Sequence, residues 1–106
     1  MVSVRQFDVA VAILGLLASS SAIGSQQIAT NMGCFACHHI ENKMVGPSFR
    51  QIAAKYRGRS DAIEFLSNRV RKGGPGSWGP TPMVPTDVTK LSDADLKAVL
   101  VWILKT

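Results

Sequence analysis

The stretch Cys34-Phe35-Ala36-Cys37-His38 constrains this chain more than any other. Two cysteines separated by two residues and followed at once by histidine form the attachment sequence for a c-type haem. Each thiol can add across one vinyl group to give a thioether, and two thioethers fix the porphyrin edge to the backbone. The imidazole of the next residue, His38, then lies under the macrocycle and can ligate the iron. A chain made this way folds around a flat apolar plate, and the plate brings its own chemistry.

Other uses of these residues fit less well. The chain has two cysteines in all, so there is no second pair. A structural zinc site asks for four ligands. The candidates would be Cys34, Cys37, His38 and His39, and adjacent histidines do not easily converge on one tetrahedral ion. A thioredoxin-like redox pair also uses C-x-x-C. It expects a βαβ pattern around the motif, and none is visible here. A disulfide across two intervening residues closes a very small loop and stabilises little.

The N-terminus resembles a processing segment. Arg5 precedes an unbroken apolar run from Val9 to Ala18, followed by Ser19-Ser20-Ser21-Ala22-Ile23-Gly24. This pattern predicts a secretory signal peptide over residues 1–24, cleaved after Gly24 or after Ala22. The run is shorter than the roughly 18 apolar residues of a membrane span. An uncleaved anchor lying in the membrane interface is the alternative. Export suits the cysteines, because free thiols do not persist in an oxidising compartment whereas thioethers do. The reading is therefore periplasmic.

Residues 25–106 remain as one small domain. So short a chain buries too little surface to be secure alone, so the form without haem is expected to be poorly folded. The net charge is +5, and it survives cleavage because Arg5 and Asp8 leave together. Basic residues are spread along the domain without aromatic interleaving, which gives no support to nucleic-acid binding. Steering toward an acidic redox partner is the sharper reading.

The periodicities are helical. A first short helix is expected over 26–33, leading into the motif. Phe49, Ile52, Ala53 and Tyr56 form one apolar stripe, with Pro47 in the first turn and Gly58 as a left-handed cap. A third helix is expected from Ser60 as N-cap, with Asp61 and Glu64 in its first turn. Ala62, Phe65, Leu66, Arg69 and Val70 share its face, Arg71 and Lys72 complement its C-terminus, and Gly73-Gly74-Pro75 ends it. Ser92, with Asp95 three residues on, opens the last helix. Leu96, Val99, Leu100 and Ile103 line its buried face, and it is expected to pack across the first helix.

Between the third and last helices lies a non-helical segment from Gly76 to Thr86. Pro75, Pro80, Pro82 and Pro85, four of the chain's five prolines, lie in it or border it. Such a segment is extended and stiff. It carries Met83. A methionine is more often core filler than a ligand, but Met83 sits between Pro82 and Val84-Pro85 on no helical stripe. His39 adjoins a residue already committed to one face of the haem, and Met32 and Met44 flank the motif closely. Met83 is therefore the candidate for the second axial position, as His/Met ligation is usual in electron-carrying cytochromes c.

From Gly33 to the C-terminus the chain resembles short bacterial class I cytochromes c of the five-fifty-one type. The matching pieces occur in order. They are Gly33-Cys34, Cys37-His38, Lys43-Met44-Val45-Gly46-Pro47, Ala53-Ala54-Lys55-Tyr56, Gly76-Ser77-Trp78-Gly79, Pro82-Met83, Leu91-Ser92-Asp93 and Trp102-Ile103-Leu104. The resemblance implies an all-α fold of four to five short helices wrapped around one covalently attached haem c. It implies His38 and Met83 as iron ligands, and the Pro47 carbonyl as hydrogen-bond acceptor for the His38 ring. Arg69 and Trp78 would hold a haem propionate. Two positions depart from the family pattern. Thr86 stands where an asparagine often reaches the ligand sulfur, and Ala29 where an aromatic is common. Phe35 is expected to fill the space that Ala29 leaves.

The function expected is a soluble, periplasmic one-electron carrier, not an enzyme, working between redox proteins with acidic docking surfaces: a reductase, an oxidase or a bc-type complex. No nucleic acid, no small-molecule substrate and no oligomer is called for. Two alternatives remain. One is a haem enzyme or gas sensor with an open distal face. The other is thiol–disulfide exchange through Cys34 and Cys37.

Overall fold

The stripe Leu96, Val99, Leu100 and Ile103 becomes the spine of the fold. In the computed structural model, which describes residues 21–106, these four side chains are the buried face of the C-terminal helix. The apolar run 9–18 and most of the expected leader lie outside the described residues. Among the described residues there are four α-helices: α1 (Ser21–Asn31), α2 (Phe49–Tyr56), α3 (Ala62–Lys72) and α4 (Asp93–Leu104). A short 3-10 turn covers Cys34–Ala36, and two short strands, β1 (Gly74–Gly76) and β2 (Gly79–Met83), pair antiparallel.

α4 starts where the sequence predicts. The Ser92 hydroxyl accepts from the Asp95 amide at 3.1 Å, satisfying one of the amides that a helix start leaves without a partner. Its apolar face then packs on α1, α2 and α3, including the expected crossing with α1. Ala29 of α1 is fully buried, and its small side chain suits that close crossing. Phe49, Tyr56 and Leu66 complete the central cluster with α4.

Five helix boundaries differ from expectation. α1 begins earlier, at Ser21, so Ala22 and Gly24, the two expected cleavage positions, fall inside it. It closes at Asn31, before Gly33, which adopts a left-handed φ of 78°. α2 starts at Phe49, not at Pro47. Ser48 is the N-cap and forms a reciprocal box with Gln51: its hydroxyl accepts from the Gln51 amide at 3.0 Å, and the Gln51 side chain accepts from the Ser48 amide at 2.9 Å. Gly58 is not a left-handed cap. Arg57 ends the helix in right-handed geometry, and the bonds Arg59 N to Tyr56 O and Ala62 N to Arg59 O carry the chain through tight turns into α3.

α3 has Asp61, not Ser60, at its N-cap, and the Asp61 side chain makes no capping bond. Its carboxylate is taken up by Arg59 through two bonds of 2.8 and 2.9 Å. That contact holds the carboxyl below the usual carboxylate range.

The segment after α3 was expected to be extended, and it also pairs with itself. Gly74 faces Met83 and Gly76 faces Gly79, with an irregularity between them. Pro75, Pro80 and Pro82 fall off those paired positions, which suits residues with no amide to donate. Gly76 and Gly79 have φ of 155° and 108°, the kind of backbone that lets so short a hairpin close. The fold is thus helical with one small hairpin, and the hairpin carries Met83.

Candidate functional site

His38 leaves the 3-10 turn with its orientation fixed from three sides. Its Nδ1 donates to the Pro47 carbonyl at 2.7 Å. A carbonyl can only accept, so Nδ1 carries the hydrogen and Nε2 keeps its lone pair. The ring stacks on Phe49, with centroids 5.4 Å apart and planes 20° from parallel. Gly46 lies against it: a Cβ built there would stand 2.5 Å from His38 Cε1 and 2.9 Å from Nδ1. The sequence places Pro47 in the first turn of the helix that follows Gly46-Pro47. The structure instead makes them a cradle, with Pro47 as the acceptor that the family resemblance implied.

The loop between them is held as well. The Gly46 amide donates to the Cys37 carbonyl at 2.8 Å, and the Phe49 amide to the His39 carbonyl at 2.9 Å. His39 points elsewhere, its Nδ1 accepting from the Glu41 and Asn42 amides. It therefore shapes the loop.

Cys34, Cys37, His38 and Met83 all line one cavity of about 430 Å³. Ile52, Leu66 and Val99 supply part of its apolar wall. Cys34 and Cys37 are both free thiols. Burial pushes the Cys34 thiol up, outweighing a hydrogen bond from its own backbone. That opposes the low-pKa thiolate on which disulfide exchange depends. Among the described residues no three His, Cys, Asp or Glu side chains are grouped to hold a metal ion.

Arg69 and Trp78 line the same cavity. Arg69 Nη2 donates to the Gly74 and Pro75 carbonyls at 3.2 and 3.0 Å, so the guanidinium also ties α3 to the hairpin. Trp78 is 42% exposed and meets Tyr56 edge-on at 6.4 Å. Lys55 Nζ lies 4.5 Å from the Trp78 ring centroid and donates to the Ser77 carbonyl at 3.1 Å. Thr86 lines the cavity too. Its amide donates to the Val70 carbonyl at 2.8 Å and its carbonyl accepts from Arg71 at 3.2 Å.

Phe35 belongs to an aromatic cluster beside the site. It meets Phe49 edge-on at 5.4 Å and Trp102 at 6.4 Å. Ala29 is part of the central apolar cluster, and Phe35, half-buried, packs against that cluster. From sequence, Gly73 reads only as part of a helix stop and Gly46 only as part of the piece that matches the family, and neither reads as a close-approach position. Gly73 also sits at a close approach, against the Met83 carbonyl and the Pro85 nitrogen. The available signal was their placement, one between the motif and Pro47 and the other just ahead of the proline-rich segment.

These residues fit a covalently held haem. Two thiols, an imidazole with a bare Nε2 and a thioether sulfur stand on the walls of one apolar cavity. Its volume lies within the range usual for cofactor pockets. The backbone leaves room for the imidazole only because residue 46 lacks a Cβ.

Comparison with known proteins agrees. The family model for cytochrome c matches residues 22–106. The chain is 44% identical over 94 residues to cytochrome c-552 of Hydrogenobacter thermophilus, covering 89% of this chain and 91% of the relative. It is 49% identical over 80 residues to cytochrome c2 of Rubrivivax gelatinosus, covering 76% and 94%. The crystal structure of wild-type Nitrosomonas europaea cytochrome c552 superposes with a TM-score of 0.68 at 42% identity, covering 76% of this chain and 96% of that one. The protein is a small electron carrier, not an enzyme, and its cofactor is haem c, attached through the Cys34-x-x-Cys37-His38 motif. By family model, identity and fold together, the chain belongs to the cytochrome c family.

Proposed function

We propose that this protein is exported, loses residues 1–24, and works in the periplasm as a one-electron carrier whose iron is held by His38 and Met83. One observation carries the reading: both motif thiols, the oriented imidazole and the Met83 side chain share one cavity. Bound haem c supplies a one-electron couple between ferric and ferrous iron. His38 presents a bare Nε2, because Pro47 takes the hydrogen on Nδ1 and Phe49 blocks rotation of the ring. Met83 offers a neutral sulfur from a stiff hairpin, so little needs to move when charge changes. Arg69 and the Trp78 indole line the same cavity as donors for the carboxylate of a propionate. Ile52, Leu66 and Val99 keep water out and disfavour extra positive charge, which favours the reduced form.

Partner choice follows from charge. The balance of +5 speeds encounter with an acidic docking surface, and added salt slows it. A reductase, an oxidase or a bc-type complex would each present such a surface.

Two measurements test the reading. Under denaturing mass spectrometry a thioether-linked haem stays on the chain as added mass. A disulfide protein shows none. A ferric protein with the Met83 sulfur on iron shows a weak red thioether-to-iron band, and Met83→Ala abolishes it. An absent band in the wild type, with immediate binding of carbon monoxide by the ferrous protein or cyanide by the ferric protein at neutral pH, would mean an open distal face. Mass analysis of the periplasmic fraction decides export, since the mature chain should begin at Ser25.

A further inference from the structure

Met83 ends β2, and the chain around it is tied back to α3 at several points. Gly74 pairs with Met83 across the hairpin. Gly73 lets the Met83 and Pro85 backbone come within contact of α3's end. The Thr86 amide donates to Val70 O at 2.8 Å. Arg71 completes the set. Its Nη1 donates to the Thr86 carbonyl at 3.2 Å, and its Nη2 to Asp93 Oδ1 at 2.7 Å. The Arg71 side chain is only 20% exposed, whereas Asp93 is 87% exposed.

Arg71 therefore joins three pieces: α3, the segment following Met83, and the first residue of α4. With Val70 it fixes both backbone groups of Thr86. The sequence reading gave Arg71 only the general role of a positive charge at a helix C-terminus.

We propose that Arg71 is a positioning residue for Met83, its fork keeping the Met83 segment closed over the cavity. This rests on the reading of Met83 as an iron ligand. A guanidinium can serve two acceptors at once in fixed geometry, and a lysine ammonium does so poorly. An exposed ion pair by itself contributes little, so the bond to Thr86 O carries most of the effect. Asp93 holds the fork in place for it.

The test uses ferric holoprotein mixed with imidazole. Loss of the red thioether-to-iron band is followed in time, and amide exchange is measured at Thr86 and at Leu100 in α4. Imidazole can bind only when the Met83 segment opens, so the rate reports that local opening. Arg71→Gln should speed both imidazole binding and Thr86 exchange roughly tenfold, as expected for one lost charge-assisted bond, with Leu100 unchanged. Arg71→Lys should fall between. Asp93→Asn, which leaves the Thr86 bond in place, should have a smaller effect in the same direction. Unchanged imidazole and Thr86 rates in Arg71→Gln overturn the proposal, as does equal acceleration at Leu100, which would mean general stability. Should Arg71→Gln not fold, wild-type rates in Arg71→Lys overturn it. A wild type with no red band sinks the Met83 ligand reading first and the proposal with it. A wild type with the band but an indifferent Arg71 sinks the proposal alone.

Discussion

Residue 46 shows how a site can depend on an atom that is missing. A Cβ at Gly46 would stand 2.5 Å from His38 Cε1 and 2.9 Å from Nδ1. The ring cannot retreat, because Phe49 is stacked on it and Pro47 holds its Nδ1. Gly46→Ala should therefore tilt the imidazole, weaken the Pro47 bond and destabilise the holoprotein by about 1–3 kcal/mol, as overpacking does. Thermal unfolding of the ferric protein checks the stability, and voltammetry should show a shifted reduction potential; a variant with both unchanged would refute the cradle. Phe35 is the opposite case, a residue that adds atoms. It supplies one edge of the cluster with Phe49 and Trp102. Phe35→Ala should cost about 1–3 kcal/mol, less than a fully buried Phe→Ala because the ring is only half-buried. Unchanged thermal stability would remove its role in making up for Ala29. The cofactor is legible in the sequence because covalent attachment demands fixed spacing, which Cys34 and Cys37 meet. Gly46 was not, because the need for glycine arises from the position of a ring eight residues earlier in the chain.

Among the elements, legibility tracked how many local signals agreed. In α4 the N-cap Ser92, the apolar period and the burial all coincide, and its start was read correctly. At α2 the stripe was right but the start was not. The sequence places Pro47 in the first turn, whereas Ser48 with Gln51 forms the cap and the helix starts after it. The hairpin had almost no signal, since Gly-Pro-rich strands lack the β-branched residues that mark a strand. It is closed by glycine backbone and by tertiary bonds from Arg69 and Arg71. Ser48 is where the α2 misreading has a consequence. Ser48→Ala removes a fully buried cap hydroxyl and frees the Gln51 amide, which should cost about 1–2 kcal/mol. Because Phe49 is the next residue, loosening this helix start also loosens the stack on His38. Denaturant unfolding should show the loss in stability, and faster amide exchange at Gln51 would place it at the cap.

At the scale of the whole molecule, helices and cofactor are parts of one core. α4 touches α1, α2 and α3, yet Leu66, Leu96, Val99, Leu100 and Ile103, all buried in that packing, also line the cavity of about 430 Å³. The same face of α4 thus serves the protein core and the wall of the cavity proposed for the haem. Without the plate, those side chains would border a void far larger than a packed interior tolerates, and the chain is too short to collapse around it without losing its helix contacts. Protein with Cys34→Ala and Cys37→Ala, purified free of haem, should therefore show weak helical circular dichroism and no cooperative thermal transition, while the holoprotein melts in one step. If the haem-free chain instead kept native helicity and a sharp transition, the helices would be self-sufficient, and the haem would be a passenger in a fold that stands without it.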